Sequence, residues 1–187
     1  MNINQYLIVM RNLIFFCFTL LLLITSCDKQ EDFTPKIPTG ENTAYFYVDG
    51  VLNVPELVDN FPYPAFKPIV FSGCEAPNKE LGMILNGMKF DLTISLLNGF
   101  STVGVFNLSQ GNSICNNASN GVYFASRDKN GMWGYYDSEN NSGTINIETM
   151  SADKRKFTGS FQMDVYEDTG EVKHITNGHF NINLDTL

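Results

Sequence analysis

"KFTGSFQMDVYEDTGEVKHITNGHFNINL", Lys156 to Leu184, alternates apolar and polar residues on either side of a short polar run. Successive side chains of a strand point to opposite faces, so a period of two reads as two half-buried strands. In the first, Phe157, Gly159, Phe161, Met163 and Val165 share one face. Lys156, Thr158, Ser160, Gln162, Asp164 and Tyr166 share the other. Glu167-Asp168-Thr169-Gly170 supplies the turn, and Val172, His174, Thr176, Gly178, Phe180, Ile182 and Leu184 align on one face of the return strand. A four-residue turn sets Val165 opposite Val172, Met163 opposite His174, Gly159 opposite Gly178 and Phe157 opposite Phe180. Both apolar faces then look the same way, as register selection requires.

The same pattern recurs upstream. "TAYFYVDGVLNV" is a strand, an Asp49-Gly50 turn and a second short strand; Asp-Gly between alternating runs is a strong hairpin signal. "KPIVFSG", "ELGMILNG", "KFDLTISLL" and "STVGVFNL" follow, rich in β-branched and aromatic residues. Asp128-Lys129-Asn130-Gly131 divides "GVYFASR" from "MWGYYD", and "GTINIETM" precedes the final hairpin. No stretch of ten residues beyond the N-terminal region has helical periodicity. The expected class is all-β: an antiparallel sandwich or flattened barrel of about eight to eleven strands, ending in a long C-terminal hairpin.

The N-terminus is different. Leu13 to Ile24 is a run of twelve residues with three phenylalanines and five leucines, short of the ~20 needed to cross a ~30 Å hydrocarbon core. Behind Arg11 it has the length of a signal-peptide hydrophobic region. Met10 is a second candidate start, because "MRNLIFF" is a compact signal opening by itself. Ile24-Thr25-Ser26-Cys27 resembles the lipobox of bacterial lipoproteins. That resemblance implies a cleaved signal peptide over residues 1–26 and palmitate-type acylation of Cys27. An ordinary secretory signal with a coincidental cysteine is the alternative. Each buried CH₂ contributes ~0.8 kcal/mol, and two or more chains anchor stably. Lys29-Gln30-Glu31-Asp32 is similar to the acidic export signal of surface-displayed lipoproteins of the Bacteroidota. It implies lipid anchoring in the outer membrane with surface exposure; a solvated charge run is the plainer reading. Residues 27–42 read as a flexible tether able to extend ~50 Å at ~3.3 Å per residue. Residues 43–187 read as a single all-β domain.

Composition narrows the partners. Residues 27–187 keep eleven of the twelve basic residues and all 20 acidic ones, an excess of nine negative charges. Such a surface repels phosphate backbones, and no basic stripe offsets it, which argues against nucleic acid. Of four cysteines, Cys17 lies in the signal and Cys27 takes the lipid. Cys74 and Cys115 remain, inviting a disulfide in an oxidising compartment, with two buried thiols as the competing reading.

Gly143 to Ile147, "FTGSFQMDV" and "ITNGHFNI" also resemble the small β-rich lipoproteins of the Bacteroidota, a group without an assigned activity. The resemblance covers about forty residues and implies a fold and a location.

A search for chemistry returns little. No nucleophile elbow, zinc-protease helix, phosphate-binding loop or dinucleotide fingerprint occurs. No cofactor or metal is expected. His174 and His179 are five apart on one predicted strand, which puts them on opposite faces, His174 inward. "DSENNSGTINIE" places Asp137, Glu139, Asn141 and Glu148 at calcium-loop spacing. Ser142 stands where the loop's glycine belongs, so a polar hairpin loop is the preferred reading. Two working surfaces remain. One is the Pro55–Pro68 loop, with four prolines, a cover for a sheet edge or a functional loop. The other is the hairpin bearing Trp133, Tyr135 and Tyr136, whose aromatics on both faces cannot all enter one core unless a second layer covers the outer face; core packing of Trp133 is the plainer reading and a displayed stacking platform the alternative.

The expected function is a lipid-anchored, non-catalytic binding or accessory module contacting a glycan, a peptide or an envelope protein. A structural or assembly lipoprotein is the alternative. A glycan hydrolase using paired carboxylates comes third.

Overall fold

In the computed structural model, residues 36–56, 69–73, 80–97, 100–110 and 120–187 are described, with backbone only at 71–73 and 80–81. Cys27, Cys74, Cys115 and the Pro-rich loop beyond Glu56 lie outside them. The described residues form ten strands: β1 Thr43–Val48, β2 Val51–Asn53, β3 Ile69–Gly73, β4 Glu80–Gly87, β5 Phe90–Leu97, β6 Gly104–Asn107, β7 Gly121–Arg127, β8 Trp133–Met150, β9 Lys156–Tyr166 and β10 Val172–Asn183. They make one antiparallel sheet in the order β2-β1-β10-β9-β8-β7-β5-β4-β3, and β6 pairs with the far half of β8. The fold is all-β, as the alternation predicts.

Local turn chemistry sets several registers. Asp49 and Gly50 both take positive φ, 49° and 82°, and Val48 pairs directly with Val51. That is the two-residue hairpin turn whose twist matches its strands. The β9–β10 connection differs from expectation. Gly170 N–H donates to Glu167 O at 2.8 Å and Glu167 N–H to Glu171 O at 2.8 Å, with Gly170 at φ 91°. The left-handed glycine adds one residue to the loop, so Tyr166 pairs with Val172 rather than with Glu171.

The expected hairpin register is therefore corrected. Val165 lies opposite Lys173 and Met163 opposite Ile175. A bulge follows between Ile175 and Gly178, with Asn177 at φ 50°, after which Gly178 pairs with Phe161, Phe180 with Gly159 and Ile182 with Phe157. The turn moves Ile175 inward in place of His174, and the bulge restores the even-numbered residues to the buried face. Ile175, Gly178, Phe180 and Ile182 are buried, whereas His174 and Thr176 are exposed. Burying isoleucine instead of histidine is the physical reason, since a buried imidazole needs a hydrogen-bond partner and isoleucine needs none.

β8 also departs from expectation. The polar run Ser138–Ser142 does not break "MWGYYD" from "GTINIETM"; one 18-residue strand runs through both. Its ladder to β9 bulges between Ser138 and Gly143, where Asn141 has φ 62°. Asn141 N–H donates to Leu108 O at 2.9 Å, so the bulge is held by the chain leaving β6.

The sheet curls into a half-barrel around its apolar face. Phe46 on β1 reaches Phe90, Phe124 and Phe161, with ring centroids 5.0, 6.3 and 6.0 Å away. Glu56 N–H donates to Asn86 O at 3.0 Å, tying the chain after β2 to β4 on the other side of the curl. Phe157, Phe161 and Phe180 continue the core along β9 and β10. A Cβ on Gly178 would enter the Phe161 ring, and one on Gly159 would strike Phe180. The glycines are what let those rings lie flat across the sheet.

Candidate binding face

The β7–β8 hairpin places its residues by alternation. Asp91 on β5, Ala125 on β7 and Tyr135 on β8 form one transverse row on the outer face. Thr93, Tyr123 and Asp137 form the next, and Arg127 sits directly opposite Trp133. Tyr123 and Tyr135 are diagonal neighbours across the small Ala125. Their rings stack with centroids 6.2 Å apart and planes 26° apart. The Arg127 guanidinium lies over the Trp133 ring, 4.7 Å from its centroid, a geometry in which the ring quadrupole attracts the cation. Tyr135 is 56% exposed, while Tyr123 and Trp133 are half-buried.

Tyr136 is corrected. It faces the core, 4% exposed, with its ring 6.0 Å from Phe124, and its hydroxyl bonds the Glu171 carboxylate. It takes no part in the outer face. The sheet solves the problem of aromatics on both sides of one hairpin by burying Phe124 and Tyr136 and leaving Tyr123 and Tyr135 outside.

The electrostatics of this face are mixed. Partial burial pushes the Asp91 carboxyl above the ordinary aspartate value, against the pull of Arg127. Burial also raises the Tyr123 phenol, helped by Tyr135, Asp137 and Asp91. Beside it, Arg127 N–H donates to Lys89 O at 2.9 Å and fixes the β4–β5 turn against the hairpin. Met88 in that turn and Met132 in the β7–β8 loop are both exposed. Stiff rings flanked by flexible thioethers suit a contact surface that adapts to its partner. Sequence reading missed Asp91 and Arg127. Arg127 was accessible from the Asp128–Gly131 turn, which mirrors it onto Trp133, whereas Asp91 needed the β5–β7 pairing.

His174 also moved. The β9–β10 turn puts it on the outer face, and the β10 bulge leaves His179 on that face too. His174 Nδ1 lies 2.7 Å from Asp164 Oδ1, and His179 packs its ring 5.7 Å from Tyr45. Among the described residues no group of three or more His, Cys, Asp or Glu could hold a metal ion. The calcium-loop spacing is taken apart by β8, because Glu148 lies far along the strand and accepts a hydrogen bond from Ser160 at 2.6 Å. Asp137 and Glu139 instead join Glu167 and Asp168 around a cleft of about 480 Å³ beside the β9–β10 turn.

Comparison with known protein families, with curated proteins and with solved structures finds no match. Among the described residues no helix is long and apolar enough to cross a membrane.

Proposed function

We propose that this chain is a lipid-anchored protein of a bacterial outer membrane, acting as a non-catalytic binding module through the outer face of β7 and β8. The observation that carries the reading is the pair Tyr123–Tyr135, stacked at 6.2 Å with Tyr135 56% exposed. Burying those rings in the core would remove apolar area from water, yet the fold leaves them out and rests Arg127 on the adjoining Trp133. A displayed flat ring pays little conformational entropy on contact and offers both stacking and hydroxyl hydrogen bonds. Anchoring through Cys27 keeps the domain on the membrane while the 27–42 tether lets the face reach a glycan, peptide or envelope protein.

Two measurements test the two halves of this reading. Cys27→Ala should abolish fatty-acid labelling and release the protein from the membrane fraction; a variant that stays membrane-bound overturns the anchor. Tyr135→Ala should change thermal stability little, because the ring is mostly in water already, and should lower binding on glycan or peptide arrays by roughly tenfold or more. Array binding that survives both Tyr135→Ala and Trp133→Ala overturns the face.

A further inference from the structure

A second outer-face site lies over the β8–β9 ladder itself, away from the aromatic pair on β7 and the first residues of β8. Sheet pairing aligns Tyr45, His179, Ser160, Asn146 and Val105 in one transverse row over β1, β10, β9, β8 and β6. Gln162 and Thr144 pair in a neighbouring row. Where β10 bulges, Asn177 comes up beside them, and Val105, Thr144, Asn146, Ser160, Gln162 and Asn177 line a groove of about 380 Å³, with His179 and Tyr45 beyond it along the row. That is within the ~300–1,000 Å³ typical of small-ligand sites.

We infer that this groove binds a neutral, hydroxyl-rich ring, such as one sugar unit of an uncharged glycan. Three observations carry the inference. First, among the described residues no charged side chain lines the groove, and the Glu148 carboxylate next to it is bonded to the Ser160 hydroxyl at 2.6 Å, although the protein carries a formal charge of −8. An anionic ligand finds no counter-charge in that lining. Second, Asn146, Gln162 and Asn177 each bring a side-chain amide, and none of the three amides hydrogen bonds to another described residue. An amide offers a carbonyl acceptor and two donors side by side, the complement of vicinal hydroxyls that both donate and accept. Third, next to the groove the row continues through His179 to Tyr45, packed 5.7 Å apart at 37°. Flat rings beside Ser160 give a sugar face something to stack on.

The backbone supports the same choice. The groove lies on a sheet face whose N–H and C=O groups are spent in the β8–β9–β10 ladders, so a peptide has no free edge to extend. Asn177 holds a left-handed φ of 50°, a conformation that Asn tolerates better than most L-residues. Bulges of this kind re-aim side chains next to functional sites. This site is separate from the Tyr123–Tyr135 face and does not depend on it.

The test is an NMR titration of the ¹⁵N-labelled domain with neutral gluco-, manno-, xylo- and galacto-oligosaccharides, with oligogalacturonate as the charged control. At least one neutral series should give saturable shifts of the Asn146, Gln162 and Asn177 side-chain amide signals, and the charged series should give none. Asn146→Ala and Gln162→Ala should each weaken that binding about tenfold, the effect of losing one good hydrogen bond. Asn177→Gly deletes the amide but keeps the backbone free to stay left-handed, so it should weaken binding without lowering the melting temperature. The inference is overturned if no neutral oligosaccharide shifts these signals. It is equally overturned if binding survives Asn146→Ala with Gln162→Ala, or is lost in Tyr135→Ala and kept in Asn146→Ala.

Discussion

Phe46 on β1 and Phe90 on β5 meet edge to face, with ring centroids 5.0 Å apart and planes at 85°, although β10, β9, β8 and β7 lie between their strands along the sheet. A flat sheet would hold strands so placed about 20 Å or more apart, at ~4.8 Å per step. The contact therefore measures the curl. It also explains how, among the described residues, a single sheet encloses a core, since the sheet's own two halves face each other.

Phe46→Ala should accordingly cost about 3–5 kcal/mol in chemical denaturation, because it removes a fully buried ring at the seam of the curl. A loss below about 1 kcal/mol would mean that the two halves are held by something else.

The β10 bulge makes a sharper prediction. Gly178→Ala should destabilise by about 1–3 kcal/mol, since the new methyl group must displace the Phe161 ring. At the adjoining position, Asn177→Gly should change stability by less than about 1 kcal/mol. Equal effects at the two sites would contradict the bulge.

Asp91 predicts a pH dependence. Burial raises its folded-state pKa, so the folded state binds the proton more tightly than the unfolded chain does. Its contribution is most favourable at acid pH and is lost as pH rises through the raised folded value. Asp91→Asn should therefore raise the melting temperature at pH 7 and lose that advantage near pH 3. A variant less stable at pH 7 would show that the Arg127 attraction outweighs desolvation.

For His174 the partner is a carboxylate. The hydrogen bond and charge of Asp164 raise the imidazole pKa above its ordinary 6.5. Stability from the pair is fully present below about pH 6.5 and is lost as pH rises through the folded value. Proton NMR should give a titration midpoint above 6.5 that falls in Asp164→Asn; an unchanged midpoint would remove the pairing.

On the proposed export, Cys74 and Cys115 should be joined. Non-reducing mass spectrometry should find the linked peptides, and reduction should cost roughly 4 kcal/mol for a loop of this length in the chain-entropy model. Two free thiols in the protein isolated from its native host without reductant would dismiss the bond.

The elements were legible because strand formation is a local matter. Alternation at Lys156–Tyr166, the Asp49-Gly50 pair and the Asp128–Gly131 run each announced a strand or turn within a few residues, and each is present. The registers were not. One left-handed glycine at Gly170 and one bulge at Asn177 each shift pairing by a single residue, and a single residue exchanges the faces. Nothing local says which of His174 and Ile175 will turn inward, because the preference belongs to the core they meet.

The aromatic hairpin shows the same division. Residue order alone puts Trp133 and Tyr135 on one side and Tyr136 on the other. Which side is core was decided by the curl, which brings Phe46 to within 6.3 Å of Phe124 and so buries that face together with Tyr136. The cross-strand neighbours Asp91, Arg127 and Tyr123 likewise come from β5 and β7, brought beside β8 by pairing alone. By itself, then, the sequence determined the all-β class, the main turns and the alternation of faces, since these follow from steric rules spanning two to four residues. Only the tertiary structure decided register, curl and which aromatics remain in water, because those depend on how much apolar area distant strands can bury against one another.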